Sequence, residues 1–325
     1  MRIDLPFYLE HGGDIVIQQP LLLHGVTMHA FFLEADRLRL AALADRFLNG
    51  PAGGAVSYVP AASFVVLVCA DIARGQARYE PDRGKGWMSE RDVAFWVPLW
   101  AGRHVGPLFV PERLVYFLPY VFVDNGAAVA TGREIFGFPK ELGDLRFAGD
   151  PGADGFSVDT LVIREYGFES RGEIARLLEI TPLADSPAEP GWEDVTAGFS
   201  ALQDRFADLL VKGAFMPTAG ALVEALRGSK DVGARLVFLK QFRDAEDPER
   251  ACYQAVIEAP AVMDTLHGGG SLPAHRITIT AADSHPIVQD LGLSGPVVQS
   301  EFAARISIDF TMESGVVMGS AAPFK

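Results

Sequence analysis

The feature that most constrains the fold is the texture of residues 56–165, where short runs of Val, Ile, Phe, Tyr and Trp alternate with Gly, Pro, Asp and Asn. Such runs are typical of β-strands separated by turns. Their connections are too short for the crossover that a parallel pair requires, so they favour antiparallel pairing. The clearest runs are 93–97, 114–118, 120–123 and 127–130, the last of which follows the turn signal Asp124-Asn-Gly126.

Helical periodicity is confined to two segments. The first spans 31–48, with Asp36 as a candidate cap and Asn49-Gly50 as its end, and the second spans 193–228 after the proline-rich stretch 182–192. Many strands with few crossover helices predict an antiparallel barrel or sandwich with peripheral helices. Further strand-like runs are 235–239, 253–257, 276–280 and 304–310.

The charge balance narrows the range of partners. The chain carries 28 Lys and Arg against 42 Asp and Glu, a formal net charge of −14, which repels nucleic acids and anionic membrane surfaces. The longest apolar run, 114–123, is interrupted by Pro119 and is half the length of a membrane span. The first residues also lack a signal-peptide pattern. We expect a cytoplasmic protein with neither nucleic acid nor a membrane as its partner.

Several common reaction chemistries lack their sequence signatures. No nucleophile elbow, zinc-protease helix, P-loop or dinucleotide-binding glycine pattern occurs. The seven histidines are scattered and do not support a metal site, and no cofactor is expected. Cys69 lies in an apolar run typical of a buried, inert thiol, and the two cysteines exclude a disulfide framework.

The most informative segment surrounds Lys140. A lysine amine with its ordinary pKa near 10.4 is almost entirely protonated at pH 7, whereas attack on a ketone needs the neutral amine. Burial among aromatic side chains penalises the ammonium and can lower its pKa, which would make Lys140 a nucleophile. The same local texture also fits a turn lysine exposed to water. The neighbours of this lysine are Ile135, Phe136, Phe138, Pro139 and Leu142.

The wider motif is Gly132-Arg-Glu-Ile-x-Gly-Phe-Pro-Lys-x-Leu-Gly143, preceded by Asp124-Asn and by the small-apolar run 127–130, which reads as a strand. This segment resembles the lysine signature of the acetoacetate decarboxylase family, in which the lysine after the proline forms a Schiff base. Weaker similarity covers roughly 24–180 and 234–312.

The resemblance implies a mainly β (α+β) fold, a closed, cone-shaped antiparallel β-barrel with peripheral helices and Lys140 in its apolar interior. It also implies a single domain over residues 1–325, with 193–228 as a helical insertion, and a homo-oligomer. A second lysine follows the first in the family's prototype, but Glu141 stands there in this chain. If Glu141 faced the amine, it would favour the ammonium and raise its pKa, which opposes activation. If the segment is extended, adjacent side chains point to opposite faces and this effect weakens.

A catalytic carboxylate is the second element that the resemblance implies. Counting back six residues from Pro98, the family's spacing, reaches Asp92, and Glu90 would share the same strand face. Either could orient the substrate or transfer a proton, and an exposed, charged strand end is the alternative. The family's early arginine falls near Val26 and has no counterpart here.

The substrate contacts that we predict come from the motif and from one distant arginine. Phe136 and Phe138 would line the site, Glu141 would lie beside it, and Arg133 or Arg243 would substitute for the early arginine in binding a carboxylate.

The resulting hypothesis is a carbon-carbon lyase that decarboxylates a small β-keto acid through a Lys140 imine, an electron sink for the carbanion left by carbon dioxide. Two alternatives stay open. One is an aldolase or dehydratase that acts on a 2-oxo acid through the same imine. The other is a non-catalytic barrel that binds an apolar ligand while Lys140 stays protonated.

Overall fold

The computed structural model describes residues 7–10, 16–183, 191–213, 234–300 and 302–320. This part of the chain is mostly β-sheet, as predicted. Its strands are β1 Leu21–Glu34, β2 Ser57–Pro60, β3 Phe64–Ala77, β4 Met88–Val105, β5 Leu108–Val123, β6 Lys140–Arg146, β7 Phe156–Val162, β8 Glu173–Pro182, β9 Ala234–Arg243, β10 Ala251–Leu272, β11 His275–Ile279, β12 Val297–Gln299, β13 Phe302–Met312 and β14 Val316–Ser320.

The helices of the described residues are short, with one exception. They are α1 Arg37–Ala44, continued by a π-helical turn over Asp45–Asn49 and by α2 Gly50–Ala52; a 3-10 turn over Asp82–Lys85; α3 Gly126–Thr131, continued by a π-helical turn over Gly132–Phe136; α4 Val195–Gly213; and α5 Ile287–Leu291. None of them is long and apolar enough to cross a membrane.

Strand pairing follows the order β12-β11-β8-β7-β6-β5-β9-β10-β13-β1-β3-β4-β2, and β14 pairs with β10. Strand β4 also pairs with β5 along most of its length. The path β5-β9-β10-β13-β1-β3-β4 therefore returns to β5, so that seven strands form a ring of pairings. Strands β6, β7, β8, β11 and β12 continue from this ring as an outer layer.

Side chains of the ring strands alternate between two environments. In β4, Val93, Phe95 and Val97 pack outward in one large core with the outer layer, for example with Leu178. The intervening Ala94 belongs to a separate inner cluster. This period of two confirms the strand pattern read from the sequence. The outer layer is why both faces of so many strands are apolar.

The prediction of purely antiparallel pairing was wrong at β5. This strand pairs in parallel with β6, where Val121 lies opposite Lys140, and with β9, where Tyr116 lies opposite Leu236. The crossover from β5 to β6 contains α3, which occupies the run 127–130 that we predicted as a strand. Alanine is a strong helix former, and the side chain of Asn125 caps the helix by accepting a hydrogen bond from Ala128 N at 2.8 Å.

The first predicted helix was correct only in its middle. Residues 31–34 belong to β1, which pairs with β3 and β13. Asp36 is the cap, as predicted, and accepts hydrogen bonds from Leu38 N and Arg39 N. The helix continues past Asn49-Gly50, where we predicted its end, and stops at Gly53, whose φ of 60° favours glycine.

Within the stretch 193–228, predicted as a helical insertion, Val195–Gly213 forms the helix α4, and 214–228 lies outside the described residues. Phe206 of α4 packs on the aromatic rings of Phe32, Phe64 and Tyr116, with centroid distances of 5.8–6.4 Å. Helix α4 therefore covers one end of the inner face of the ring strands.

Both cysteines are free. Cys69 is buried in β3, as predicted, whereas Cys252 is exposed. Burial raises the pKa of the Cys69 thiol well above its ordinary value, so its thiolate does not form at neutral pH.

A buried ion pair joins β5 to β10. Glu258 is 1 % exposed and accepts hydrogen bonds from Arg113 Nε at 2.8 Å, Arg113 Nη2 at 2.7 Å and the hydroxyl of Tyr58 at 2.9 Å. Removing one partner of such a pair leaves an uncompensated charge in the protein interior.

We expect Arg113→Met to lower the free energy of unfolding by about 3–5 kcal/mol in urea titrations. Arg103→Met is the matched control, because Arg103 is 70 % exposed in its pair with Glu112 and should cost about 1 kcal/mol or less. Equal losses in the two variants would contradict this role of Glu258.

Candidate active site

A cavity of about 740 Å³ lies on the inner face of the ring strands. All seven ring strands contribute to its lining, and Phe206 and Ala207 of α4 line the far end. The lining is largely apolar. Charged side chains line both ends. Glu90, Asp92 and Lys140 border the space at one end, and Glu112, Arg113, Asp204 and Arg235 border it on the side of α4.

Lys140 is 8 % exposed and is the first residue of β6. Its Nζ lies 2.5 Å from Glu90 Oε1 and 5.2 Å from the ring centroid of Phe138. Gly132 makes room for the side chain, since a Cβ at that position would lie 2.6 Å from Lys140 Cδ. The first glycine of the motif therefore lets the lysine stem pass between α3 and β6.

The two predicted carboxylates face this amine from β4. Glu90 pairs with Ile72 and Asp92 with Ala70 of β3, so both side chains project from the same strand face, as predicted from their spacing. Burial raises the pKa of Asp92 to about 7, with an opposing contribution from the Lys140 ammonium and reinforcing ones from Glu90 and Asp124. A carboxyl group with that pKa exchanges protons at neutral pH.

The aromatic residues of the motif form one wall of the cavity. Both Phe136 and Phe138 line it. The ring of Phe138 lies 3.8 Å from the ring centroid of Phe238 in β9 and 5.9 Å from that of Phe136. These rings hold Phe138 beneath the lysine amine and limit access of water to it.

Three of the predicted substrate contacts lie outside the cavity lining. Arg133 is exposed, and its Nη1 donates a hydrogen bond to the backbone oxygen of Lys140 at 3.2 Å. Arg243, at the end of β9, donates to the backbone oxygen of Pro248 at 2.8 Å. Both guanidinium groups bind backbone, and a contact of either with a substrate carboxylate stays a prediction.

Glu141 also points away from the cavity. Its Oε2 lies 3.0 Å from Nε2 of His285, and Nδ1 of the same ring lies 2.8 Å from Ser284 Oγ. Because β6 is extended, adjacent side chains point to opposite faces, so Glu141 joins the motif strand to the outer side. A contact of Glu141 with the substrate stays a prediction.

Sequence reasoning missed several residues that line the cavity at mid-length. Trp96 and Tyr116 face each other there with ring centroids 5.5 Å apart. Met28 packs against the inner cluster that contains Ala94 and against a second cluster that contains Phe32. The sequence did contain a signal for Trp96. It lies four residues from Asp92, and the period of two along a strand places both side chains on the same face. Gly132 carries no comparable signal, because its role depends on a contact between two elements.

The charges around the cavity are unevenly distributed. Of the described lining residues, only Arg113 and Arg235 are cationic besides Lys140. The first is paired with Glu258, and the second lies toward the α4 end, since the neighbouring Leu236 pairs with Tyr116. The lysine end thus combines one amine with two carboxyl groups.

A family model described as acetoacetate decarboxylase (ADC) matches residues 107–164, which include β5, α3 and the lysine motif. No curated protein matches the chain. The acetoacetate decarboxylase of Legionella pneumophila subsp. pneumophila str. Philadelphia 1 has a similar fold, with a TM-score of 0.60 and 14% identity over 98% of this chain and 94% of that one.

Two other solved structures share the fold. An acetoacetate decarboxylase-like enzyme from Sphingomonas wittichii RW1 gives a TM-score of 0.52 and 13% identity, over 93% of this chain and 94% of that one. The second is the enduracididine biosynthesis enzyme MppR, complexed with the condensation product of pyruvate and imidazole 4-carboxaldehyde. It gives a TM-score of 0.50 and 12% identity, over 95% of this chain and 92% of that one. This chain is therefore similar to the acetoacetate decarboxylase family in two respects, the segment that carries the lysine motif and the fold.

Proposed function

We propose that this protein is a Schiff-base-forming carbon-carbon lyase that decarboxylates a β-keto acid through Lys140. The observation that carries the proposal is the buried Lys140 amine, 2.5 Å from Glu90 in a largely apolar cavity. An enclosed amine with a proton acceptor beside it has the parts needed to attack a ketone.

The first step needs a neutral amine. The carboxylate of Glu90 stabilises the ammonium, but it can also accept the ammonium proton at the distance observed. An apolar environment penalises the separated charges of the ion pair more than the neutral acid and amine. Proton transfer to Glu90 therefore makes the amine nucleophilic without moving charge across the cavity. The amine then adds to the ketone, and Glu90 returns its proton to the carbinolamine hydroxyl, which leaves as water and gives the iminium ion.

The second step breaks the bond to the carboxylate. Its electron pair moves into the iminium as carbon dioxide leaves, which gives an enamine. The enamine carbon then needs a proton, and Asp92, with its pKa raised to about 7, is protonated in about half of the molecules at neutral pH. Asp92 donates that proton, water hydrolyses the new iminium to release the ketone and the amine, and solvent protonates Asp92 again.

The fold supports this chemistry by enclosing it. The ring of pairings and the contribution of all seven of its strands to the cavity lining support the closed barrel expected from the resemblance. In this arrangement the chain is one domain, and the insertion beginning with α4 covers the end opposite the lysine. The outer layer excludes water from the strands that carry Glu90, Asp92 and Lys140.

A second candidate is an aldolase or dehydratase that uses the same imine on a 2-oxo acid. The two carboxyl groups beside the amine also fit this candidate, because aldol and dehydration reactions need both a base and an acid. The similarity in fold to MppR, which is described with a condensation product of pyruvate, is compatible with this candidate. Product analysis separates it from the first.

Imine trapping tests both candidates together. We expect borohydride reduction with pyruvate or with β-keto acids from acetoacetate to β-ketodecanoate to add a mass to the peptide that contains Lys140. Release of carbon dioxide then identifies a decarboxylase, and condensation or dehydration products identify the second candidate. Absence of an adduct with every acid would leave the non-catalytic binder as the better interpretation.

A further inference from the structure

We infer that the substrate carries an extended apolar chain that lies in the cavity between Lys140 and α4. This inference rests on the proposed function, since it concerns the ketone that the Lys140 amine attacks. It replaces the small keto acid expected from the sequence with a longer one, and three features of the cavity support it.

The first feature is the volume. At roughly 30 Å³ for each water-sized group, a cavity of 740 Å³ has room for about 25 such groups. Acetoacetate would occupy a small fraction of that space and would leave most of the apolar lining without a contact. Sites of roughly 300–1,000 Å³ are typical of much larger ligands.

The second feature is the length. Glu90, which contacts the lysine amine, and Trp96 both line the cavity from β4. The six residue steps from one to the other span roughly 20 Å along the strand. Beyond Trp96, Tyr116 lies 6.4 Å from Phe206 of α4 between ring centroids. The cavity is therefore an elongated one, with the reactive amine near one end.

The third feature is the chemistry of the lining between these ends. Leu118 and Ala30 are among the apolar side chains that line it, and Met28 supplies an adaptable one. At mid-length, the indole nitrogen of Trp96 is buried without a hydrogen-bond partner within the described residues. An apolar chain, with at most one acceptor facing that indole, complements this surface, whereas a second charged group does not.

The test compares β-keto acids of increasing length on the same enzyme. Each methylene transferred from water to an apolar site contributes roughly a fourfold gain in binding. We expect kcat/KM for release of carbon dioxide to rise on the order of 100-fold from acetoacetate to β-ketooctanoate. If kcat/KM of the wild-type protein stays level or falls as the substrate chain lengthens, the inference is overturned, and no variant is needed for that conclusion.

Filling the middle of the cavity provides the second arm. Ala30 faces the cavity from β1, so Ala30→Phe should cut the gain between acetoacetate and β-ketooctanoate to less than about tenfold while acetoacetate still labels Lys140. Ala73→Phe is the matched control, because Ala73 is exposed on the adjacent β3, and it should keep the full gain.

The possible results distinguish a failure of the proposed function from a failure of the inferred apolar chain. If no keto acid of any length labels Lys140, the proposed function fails. If acetoacetate and β-ketodecanoate both label Lys140 but react at similar rates, the imine stands and the extended chain is wrong. If Ala30→Phe keeps the wild-type gain, the chain does not lie along β1 and the inference fails in its geometry.

Discussion

Lys140→Arg is expected to abolish imine formation and to lower kcat/KM by about 10⁴–10⁶-fold, the range seen when a covalent nucleophile is lost. Arginine keeps a positive charge beside Glu90, which lies 2.5 Å from the lysine amine, so the buried carboxylate stays compensated. A guanidinium cannot form the imine at neutral pH, because it does not lose its proton. The loss should therefore be chemical, with the fold retained.

The measurement combines steady-state rates with borohydride trapping and mass analysis of the peptides. Lys240→Arg is the matched control. Burial lowers the pKa of Lys240, which makes its amine the best competing nucleophile on this criterion, yet it is absent from the cavity lining. We expect Lys240→Arg to keep the kcat/KM of the wild-type protein. Turnover by Lys140→Arg, or a trapped adduct on Lys240, would remove Lys140 from the mechanism.

The sequence allowed the three residues at the centre of the candidate site to be chosen because the information there is local. The motif places Lys140 after a fixed proline, and the spacing of Glu90 and Asp92 puts both on one face of a strand. Neither inference needs knowledge of distant residues. The structure brings the three side chains to one end of one cavity, an outcome that follows once β4 and β6 flank β5.

The errors arose where a distant partner decides the outcome. The contact of the Arg243 guanidinium with the backbone of Pro248 could not be read from the sequence, and its predicted contact with a substrate carboxylate stays a prediction. The run 127–130 looked like a strand, but the parallel pairing of β5 with β6 requires a crossover there, and Asn125 caps a helix. The residues next to a side chain in the sequence do not determine which residues it contacts after folding.

The substrate class was beyond sequence reasoning for a related reason. The volume of a cavity is a small difference between the space that the backbone encloses and the space that the side chains fill. Trp96 and Tyr116 could be assigned to the inner face by alternation, yet nothing in that pattern shows that space remains between them. Only the packed structure shows that the rings leave an elongated cavity.

Asp92→Asn is the variant expected to separate imine formation from the later proton transfer. Asparagine cannot donate a proton to the enamine carbon, so kcat should fall by about 10²–10³-fold. Lys140 should still be labelled in the borohydride experiment, because Glu90, and not Asp92, contacts the amine. This pattern, slow turnover with normal trapping, differs from that expected for Lys140→Arg, which loses both.

The pH dependence of kcat shows which protonation state of Asp92 is the active one. The pKa of Asp92 is raised to about 7, and the reaction consumes a proton, so the protonated acid is the active form. Wild-type kcat should be level below pH 7 and should fall about tenfold for each pH unit above it. In Asp92→Asn that limb should be absent. Asp71→Asn is the control, because Asp71 is an exposed partner of Arg91 on the neighbouring strand.

Stability provides a readout of Asp92 that does not depend on turnover. A carboxyl group whose pKa is higher in the folded protein binds a proton more tightly there than in the unfolded chain, so folding loses stability as pH rises from about 4 to about 7. Asp92→Asn removes this loss, so urea unfolding should show the variant gaining stability over wild type at pH 8 relative to pH 4. An unchanged difference between the two pH values, together with a retained limb near pH 7, would assign that limb to another group and would leave Asp92 without a role in proton transfer.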